Sequence, residues 1–160
     1  MNIARFLHLL VFTFWFGAVL YFTFVMAPVL FKGLPRDQFG FVQSKLFPSY
    51  YVIGYACGVL LLLSYPLVRA AGPWAGTDSL KAGALVAMLA FSLVQGLWAG
   101  PRVGLLRVER LEAEAAKDTV KVDALKSAFG KAHGVSSLMN LFVVIGGVVY
   151  LVTLAKEWKP

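Results

Sequence analysis

Four polar side chains recur at helical spacing at the start of the last apolar stretch of the chain. His133, Ser136, Ser137 and Asn140 stand at positions that share one arc of an α-helix, at about 100° per residue. The strongly apolar run 141–154 follows them. Lipid offers such groups no hydrogen-bond partners, so they must face protein, water or a ligand. These residues are therefore candidates for a binding site inside a membrane protein.

The composition explains why a membrane is the relevant solvent. The chain has 160 residues, of which 59% are hydrophobic and only 14% charged, whereas a soluble domain is about half apolar and a quarter charged. Four apolar stretches, at about 6–31, 52–71, 82–101 and 134–155, carry the excess. Each has the roughly 20 residues that an α-helix needs to cross the hydrocarbon. We predict one all-α membrane domain over 1–160, a four-helix bundle whose first helix is too long and too aromatic to be a cleaved signal peptide.

The connections between these helices differ in character. Between helices one and two, the segment from Pro35 to Pro48 has helical periodicity and mixed polarity, which predicts a short amphipathic helix in the interface that ends at Pro48. The pair Gly72-Pro73 predicts a turn between helices two and three. A long charged segment separates helices three and four, with a plausible helix start at Asp118. We expect it to form a helical hairpin outside the membrane.

The basic residues predict an orientation. Loop one (32–48) and loop three (102–132) together contain ten lysines and arginines, whereas the segments on the other side of the membrane contain five. The positive-inside rule then places both loops in the cytoplasm and both termini outside. The net charge of +7 is explained by loops that meet anionic lipid, and we find no motif for nucleic acid.

Further polar side chains should lie at the depth of the helix-four stripe. Antiparallel spans place the end of helices one and three beside the start of helices two and four, so residues near those ends share one leaflet. The candidate ligand-binding residues are His133, Ser136, Ser137, Asn140, Gln95, Ser92, Tyr55 and Thr23. We expect the opposite half of the bundle to be nearly featureless apart from His8.

Depth also predicts one specific pair. Gln95 lies about six residues before the end of helix three, and Asn140 about six after the start of helix four. Both are then about 9 Å from the same edge, at 1.5 Å per residue. We predict that the two amides face each other inside the bundle, with Ser136 or Ser137 nearby.

Metal and haem chemistry has four weak candidates, His8, His133, Met26 and Cys57. His8 opens helix one and His133 opens helix four, and these helices start on opposite sides, so we expect the histidines to be more than about 20 Å apart. They should not share one ion or haem, although a single-histidine site stays open. Cys57 is the only cysteine, which excludes an internal disulfide. Catalysis has little support, because the chain lacks the HExxH, GxSxG and phosphate-loop motifs.

Three functions remain open from the residues. The first is binding or translocation of a small molecule or ion at the polar half-site. The second is a structural or accessory membrane protein whose polar stripe only joins helices. The third is a haem-binding redox protein, although no cofactor is determined by the sequence. Membrane lipid is an expected partner, and translocation would favour a homo-oligomer because a four-helix protomer encloses little lumen.

Three groups of residues carry a family resemblance. They are His8, Gly17, Ala27-Pro28, Phe31 and Leu34-Pro35; Gln43, Phe47-Pro48 and Tyr50; and His133-Gly134, Ser136 and Asn140. In this combination the chain resembles the transmembrane protein 205-like family. The resemblance implies a four-helix membrane fold and, for a bacterial member, the inner membrane and a domain of unknown function. A eukaryotic member is associated with platinum-drug resistance, and the single Cys57 does not reproduce the sulfur-rich helix motifs of some eukaryotic relatives.

Overall fold

The computed structural model describes residues 3–70 and 77–157, and its regular elements there are all helical. They are α1 (Ile3–Tyr21), a first π-helical turn (Phe22–Met26), α2 (Ala27–Gly33), α3 (Arg36–Ala70), α4 (Asp78–Val94), a second π-helical turn (Gln95–Ala99), α5 (Gly100–Ala115) and α6 (Thr119–Glu157). The predicted turn at Gly72-Pro73 lies outside the described residues.

Four continuous helical segments are long and apolar enough to cross a membrane. They are Ile3–Gly33, Gln38–Ala70, Asp78–Ala115 and Thr119–Lys156. Large apolar side chains such as Leu63 and Leu97 point outward and are exposed, as side chains that face lipid should be. The predicted all-α, four-helix membrane bundle is confirmed.

The helices follow one another around the bundle. α1 packs on α3, α3 on α4, and both α4 and α5 on α6, while α1 also contacts α6. One face of α1 points inward, with His8, Phe12, Trp15 and Val19 all buried. Gly58 permits a close approach of α3 to α4, because an added Cβ would lie 2.8 Å from Leu89 Cδ1.

The connection between the first two spans differs from the prediction. α3 runs without a break from Arg36 to Ala70 and passes through Pro48, so the expected end of a separate amphipathic helix at Pro48 is wrong. Proline fits the helical φ angle. It removes one backbone hydrogen bond, and its ring crowds the carbonyl group four residues earlier. Here the freed carbonyl belongs to Ser44, which lies at an exposed position beside a cavity, so it can be solvated there.

The predicted helical hairpin is present. α5 continues the third span to Ala115, and α6 begins at Thr119. The turn uses Lys117 at φ 58, and the Asp118 carboxylate accepts a hydrogen bond from the Lys121 backbone N–H at 3.0 Å. That contact satisfies one of the free N–H groups at the start of α6, as the sequence predicts.

Two π-helical turns interrupt the spans at equivalent places. The first ends at Met26 and the second at Ala99, and in each case proline is the second residue after the turn, at Pro28 and Pro101. A proline cannot donate the normal helical hydrogen bond, so the preceding turn widens. Both wide turns lie in the same half of the bundle, where they border the cavity described next.

Candidate functional site

A cavity of about 1070 Å³ lies at the end of the bundle where spans one and three leave the membrane. The first π-helical turn, α2, the first half of α3, the second π-helical turn, α5 and the start of α6 all contribute to its wall. Six of the eight candidate binding residues line it: Thr23, Gln95, His133, Ser136, Ser137 and Asn140. The structure thus brings together most of the polar groups that the sequence places at one depth.

Asn140 joins three spans at the inner end of this cavity. Its Oδ1 accepts a hydrogen bond from the Tyr50 hydroxyl at 2.9 Å, and its Nδ2 donates to Thr23 Oγ1 at 2.8 Å. Thr23 lies in the first π-helical turn, and Tyr50 in α3. The amide therefore holds the first and second spans against α6.

Gln95 has a different partner from the one predicted. It is the first residue of the second π-helical turn, and its Nε2 donates to the Ser136 backbone carbonyl at 3.2 Å, with Ser136 Oγ at 3.4 Å. Ser136 is nearby as predicted. Asn140 borders the same cavity one helical turn further along α6, and its amide bonds to Thr23 and Tyr50 rather than to Gln95.

Aromatic rings form much of the cavity wall. The rings of Phe47 and Tyr51 are stacked with their centroids 5.5 Å apart, and Phe22 lies 4.8 Å from Tyr50. Gly96 leaves room for this arrangement, since an added Cβ would come within 2.7 Å of Tyr51 Cγ. The rings of Phe129 and His133 are parallel at 5.9 Å. The wall therefore offers flat apolar faces between its polar ends.

The outer end of the cavity is basic. Lys32 of α2, Arg36 of α3, and Arg107 and Arg110 of α5 line it. Arg110 makes an ion pair with Glu114 at 3.4 Å and lies 5.8 Å from the Phe129 ring. None of the cavity-lining residues that the structure describes is Asp or Glu.

The remaining candidates lie outside this cavity. Ser92 is buried, and Tyr55 is half-buried against Gly96, whose added Cβ would overlap the Tyr55 hydroxyl. Cys57 belongs to the hydrophobic core, and Met26 ends the first π-helical turn at a half-buried position. Within residues 3–70 and 77–157, no three His, Cys, Asp or Glu side chains form a group that could hold a metal.

The expectation that the other half of the bundle is nearly featureless is wrong. His8 is buried there, with Nδ1 2.7 Å from Ser64 Oγ and Nε2 2.7 Å from the Tyr150 hydroxyl. Tyr150 is 17 residues beyond His133 in α6, which separates the two histidines by roughly 25 Å along the helix.

A buried ion pair lies at the same end as His8. Lys81 Nζ is 2.8 Å from Asp78 Oδ1, Arg69 Nε is 3.9 Å from Asp78 Oδ2, and the Tyr65 hydroxyl donates to the Asp78 carbonyl at 2.7 Å. The hydropathy pattern begins the third span after these charges, at 82, whereas the helix begins at Asp78 and packs them into the bundle. Hydropathy therefore places Asp78 and Lys81 outside the third span, whereas the packing of the bundle buries both of them at the end that contains His8.

The basic and aromatic residues of the cavity are the functional candidates that sequence reasoning missed. Arg107, Arg36 and Lys32 contribute to the orientation argument as loop charges, but nothing in their spacing places them around one cavity. The available sequence signal was the small-residue–proline pair after each wide turn, at Ala27-Pro28 and Gly100-Pro101. Such a pair at membrane depth marks a place where the helix departs from regular hydrogen bonding.

The fold and the cavity define an integral membrane protein of four helical spans with an amphipathic cavity at one end. The family model described as "Domain of unknown function (DUF4149)" matches residues 10–112, and the chain belongs to that family. It is also similar to transmembrane protein 205 of Danio rerio. The two sequences are 25% identical over an alignment 177 residues long, which covers 94% of this chain and 92% of the relative. No solved structure matches the chain.

Proposed function

We propose that this protein binds a small molecule in the cavity between its spans. The observation that carries the proposal is the combination of a cavity of about 1070 Å³ with polar groups at its inner end and apolar rings along its wall. Sites for small molecules are commonly concave and mostly apolar, with a few placed polar groups that fix the orientation of the ligand. The cavity has all three properties.

Binding is better supported than passage along the axis of one protomer. Beyond the inner end of the cavity, the centre of the bundle is filled by a packed cluster that includes Trp15, Phe16, Leu61, Leu85 and Val143. A molecule that moved from the cavity to the His8 end would have to displace these side chains. Translocation would therefore require a rearranged bundle or a path between protomers.

A cavity-filling substitution tests the proposal. Gly104 lines the cavity, and a Cβ there would meet no atom within 4 Å, so Gly104→Trp should occupy cavity space without a backbone clash. Gly130 is equally open and lies at the same end of the bundle but does not line the cavity, so Gly130→Trp is the matched control.

The measurement is native mass spectrometry of protein extracted from membranes in a neutral detergent. We expect a discrete bound mass in the wild type and in Gly130→Trp, and less of it in Gly104→Trp. A protein that carries no small molecule in any of the three forms, or that carries it equally in all three, would contradict a site in this cavity.

The alternative of a purely structural protein is favoured by Asn140. Both ends of its side-chain amide are already bonded to other spans, which is what a polar group that only joins helices would do. The same mass-spectrometric comparison separates the two functions, because a structural role predicts no dependence on the volume of the cavity.

Haem binding stays a prediction at one histidine only. His133 lines the cavity and is exposed, whereas His8 is buried at the other end. A Soret band in the purified protein that disappears in His133→Ala would support it. Purified protein without such a band after incubation with haemin would exclude it.

We further propose that the protein is in a bacterial inner membrane with the cavity open toward the cytoplasm. The excess of lysine and arginine in loops one and three supports this orientation. In a Cys57→Ala background, Lys45→Cys and Lys117→Cys should react with a membrane-impermeant thiol reagent only after the cells are opened. Labelling of both positions in intact cells would reverse the orientation.

A further inference from the structure

We propose that the ligand of this cavity is an amphipathic anion, with its carboxylate or phosphate at the basic outer end and its apolar body between the aromatic rings. The inference rests on the proposed function, because it names the chemical class of the molecule that the cavity holds. It is drawn from the distribution of charge around the cavity, the placement of one arginine, and the length of the apolar wall.

The charge distribution favours an anion over a cation or a neutral molecule. Lys32, Arg36, Arg107 and Arg110 come from three different helices and converge on one opening. No Asp or Glu is among the described residues that line the cavity, and Glu114, which pairs with Arg110, lies outside that lining. The lining therefore has an excess of positive charge, which attracts an anion.

The guanidinium of Arg107 lies close to the backbone of α3 at Gly40. An added Cβ at Gly40 would lie 2.7 Å from Arg107 Nε and 3.2 Å from its Cζ. The absence of a side chain at Gly40 therefore lets the guanidinium lie directly against α3, although Arg107 itself belongs to α5. A guanidinium presents paired N–H donors that match carboxylate and phosphate oxygens.

The apolar wall is long enough to hold a chain or a flat ring system. Gln95 at the inner end and Arg107 at the outer end are 12 residues apart in the third span, which corresponds to about 18 Å along the axis. Between these ends, the wall includes Phe47 and Tyr51. An acid group alone would leave this apolar surface uncovered, so the ligand should carry an apolar body.

Three probes separate the parts of this proposal. Dodecyl phosphate carries both the anion and the chain, dodecanol carries only the chain, and inorganic phosphate carries only the anion. Their affinities are measured by isothermal titration calorimetry with the protein in nanodiscs of zwitterionic lipid. A fourth probe, phosphatidic acid incorporated into the nanodiscs and read by native mass spectrometry, reports whether a membrane lipid is also a source of the same chemistry.

We expect dodecyl phosphate to bind more tightly than dodecanol or inorganic phosphate, and to bind less tightly as the salt concentration rises. Arg107→Gln should weaken dodecyl phosphate binding about tenfold, the size of effect that loss of one charge-assisted contact produces. It should leave dodecanol binding unchanged. Lys131→Gln removes the same charge at the same end of the bundle, at a position that does not line the cavity, and should have no effect on either probe.

Gly40→Ala provides a variant that keeps every charge. Its methyl group should push the guanidinium of Arg107 off α3, and alanine favours the helix more than glycine does, so the fold should be retained. Dodecyl phosphate binding should weaken, as in Arg107→Gln. Thermal unfolding of each variant in detergent checks that a weakened affinity does not come from a damaged bundle.

The possible failures are distinguishable. Equal affinities for dodecyl phosphate and dodecanol, both lowered by Gly104→Trp, would overturn the anionic class and leave the proposed binding function standing. Equal losses in Arg107→Gln and Lys131→Gln would also overturn the class, because the attraction would then come from overall charge. Absence of binding for dodecyl phosphate, dodecanol and phosphatidic acid would overturn the inference, and absence of a co-purified molecule as well would overturn the proposed function.

Discussion

Replacement of Asn140 by alanine should weaken the bundle by a predictable amount. The substitution removes two interhelical hydrogen bonds, one from Tyr50 at 2.9 Å and one to Thr23 at 2.8 Å. Hydrogen bonds between membrane helices are worth about 0.6 kcal/mol on average and at most about 1.7 kcal/mol. We therefore expect a loss of about 1.2 kcal/mol in the free energy of unfolding.

The groups left behind should add little to that loss. Tyr50, Thr23 and Asn140 all border the cavity, so water can reach the hydroxyls that lose their partner. The larger penalty for an unsatisfied group applies to groups sealed away from water. The expected loss for Asn140→Ala therefore stays close to the sum of the two bonds.

The assay is reversible unfolding in mixed detergent micelles, from which the free energy of unfolding of each variant is obtained. A double-mutant cycle with Thr23→Val isolates the bond between the two side chains, and its coupling energy should be about 0.6 kcal/mol. Ser137→Ala is the matched control, because Ser137 borders the same cavity at an exposed position and should change the free energy by less than about 0.5 kcal/mol.

Two results would refute this reasoning. A coupling energy of zero between Thr23 and Asn140 would mean that the bond contributes nothing, and a loss in Asn140→Ala no larger than that in Ser137→Ala would remove the role of the amide as a bridge. The same variant also bears on function. If Asn140 only joins helices, dodecyl phosphate should bind Asn140→Ala as it binds the wild type, whereas a contact with the ligand predicts a weaker affinity.

Three further outcomes follow from the packing. Tyr150→Phe removes the hydroxyl that lies 2.7 Å from His8 Nε2 and should lower the free energy of unfolding by about 1 kcal/mol, and an unchanged value would argue against that bond. The Tyr55 hydroxyl is buried with no hydrogen-bond partner among the described residues, so Tyr55→Phe should be neutral or stabilising by up to about 1 kcal/mol in the same assay, and a clear loss would reveal a partner. Gly147→Ala would place a methyl group in the ring of buried Phe16 and should cost about 1–3 kcal/mol in spite of the better helix propensity of alanine, and an unchanged thermal midpoint would contradict this close contact.

The helical hairpin shows how far local sequence signals reach. The charged segment before and after Asp118 has helical spacing, a capping residue at the turn and no long apolar run, and each of these properties acts between residues a few positions apart. The structure has the turn and the cap where the pattern predicts them. Pro48 shows the opposite case, because the packing of the long helix α3 against α1 and α4 outweighs the local cost of a proline inside a helix.

The sequence by itself determined the number of spans, their antiparallel order and the depth of each polar group, because hydropathy and a rise of 1.5 Å per residue act along each helix independently. It could therefore place Thr23, Gln95 and Asn140 in one leaflet. Only the tertiary structure decided which of them bond to each other, because a partner is chosen by the rotation of one helix against the next and by the two π-helical turns. The tertiary structure also decided the position of the basic residues around the cavity. They are scattered along the chain and surround one opening only when α2, α3 and α5 pack together.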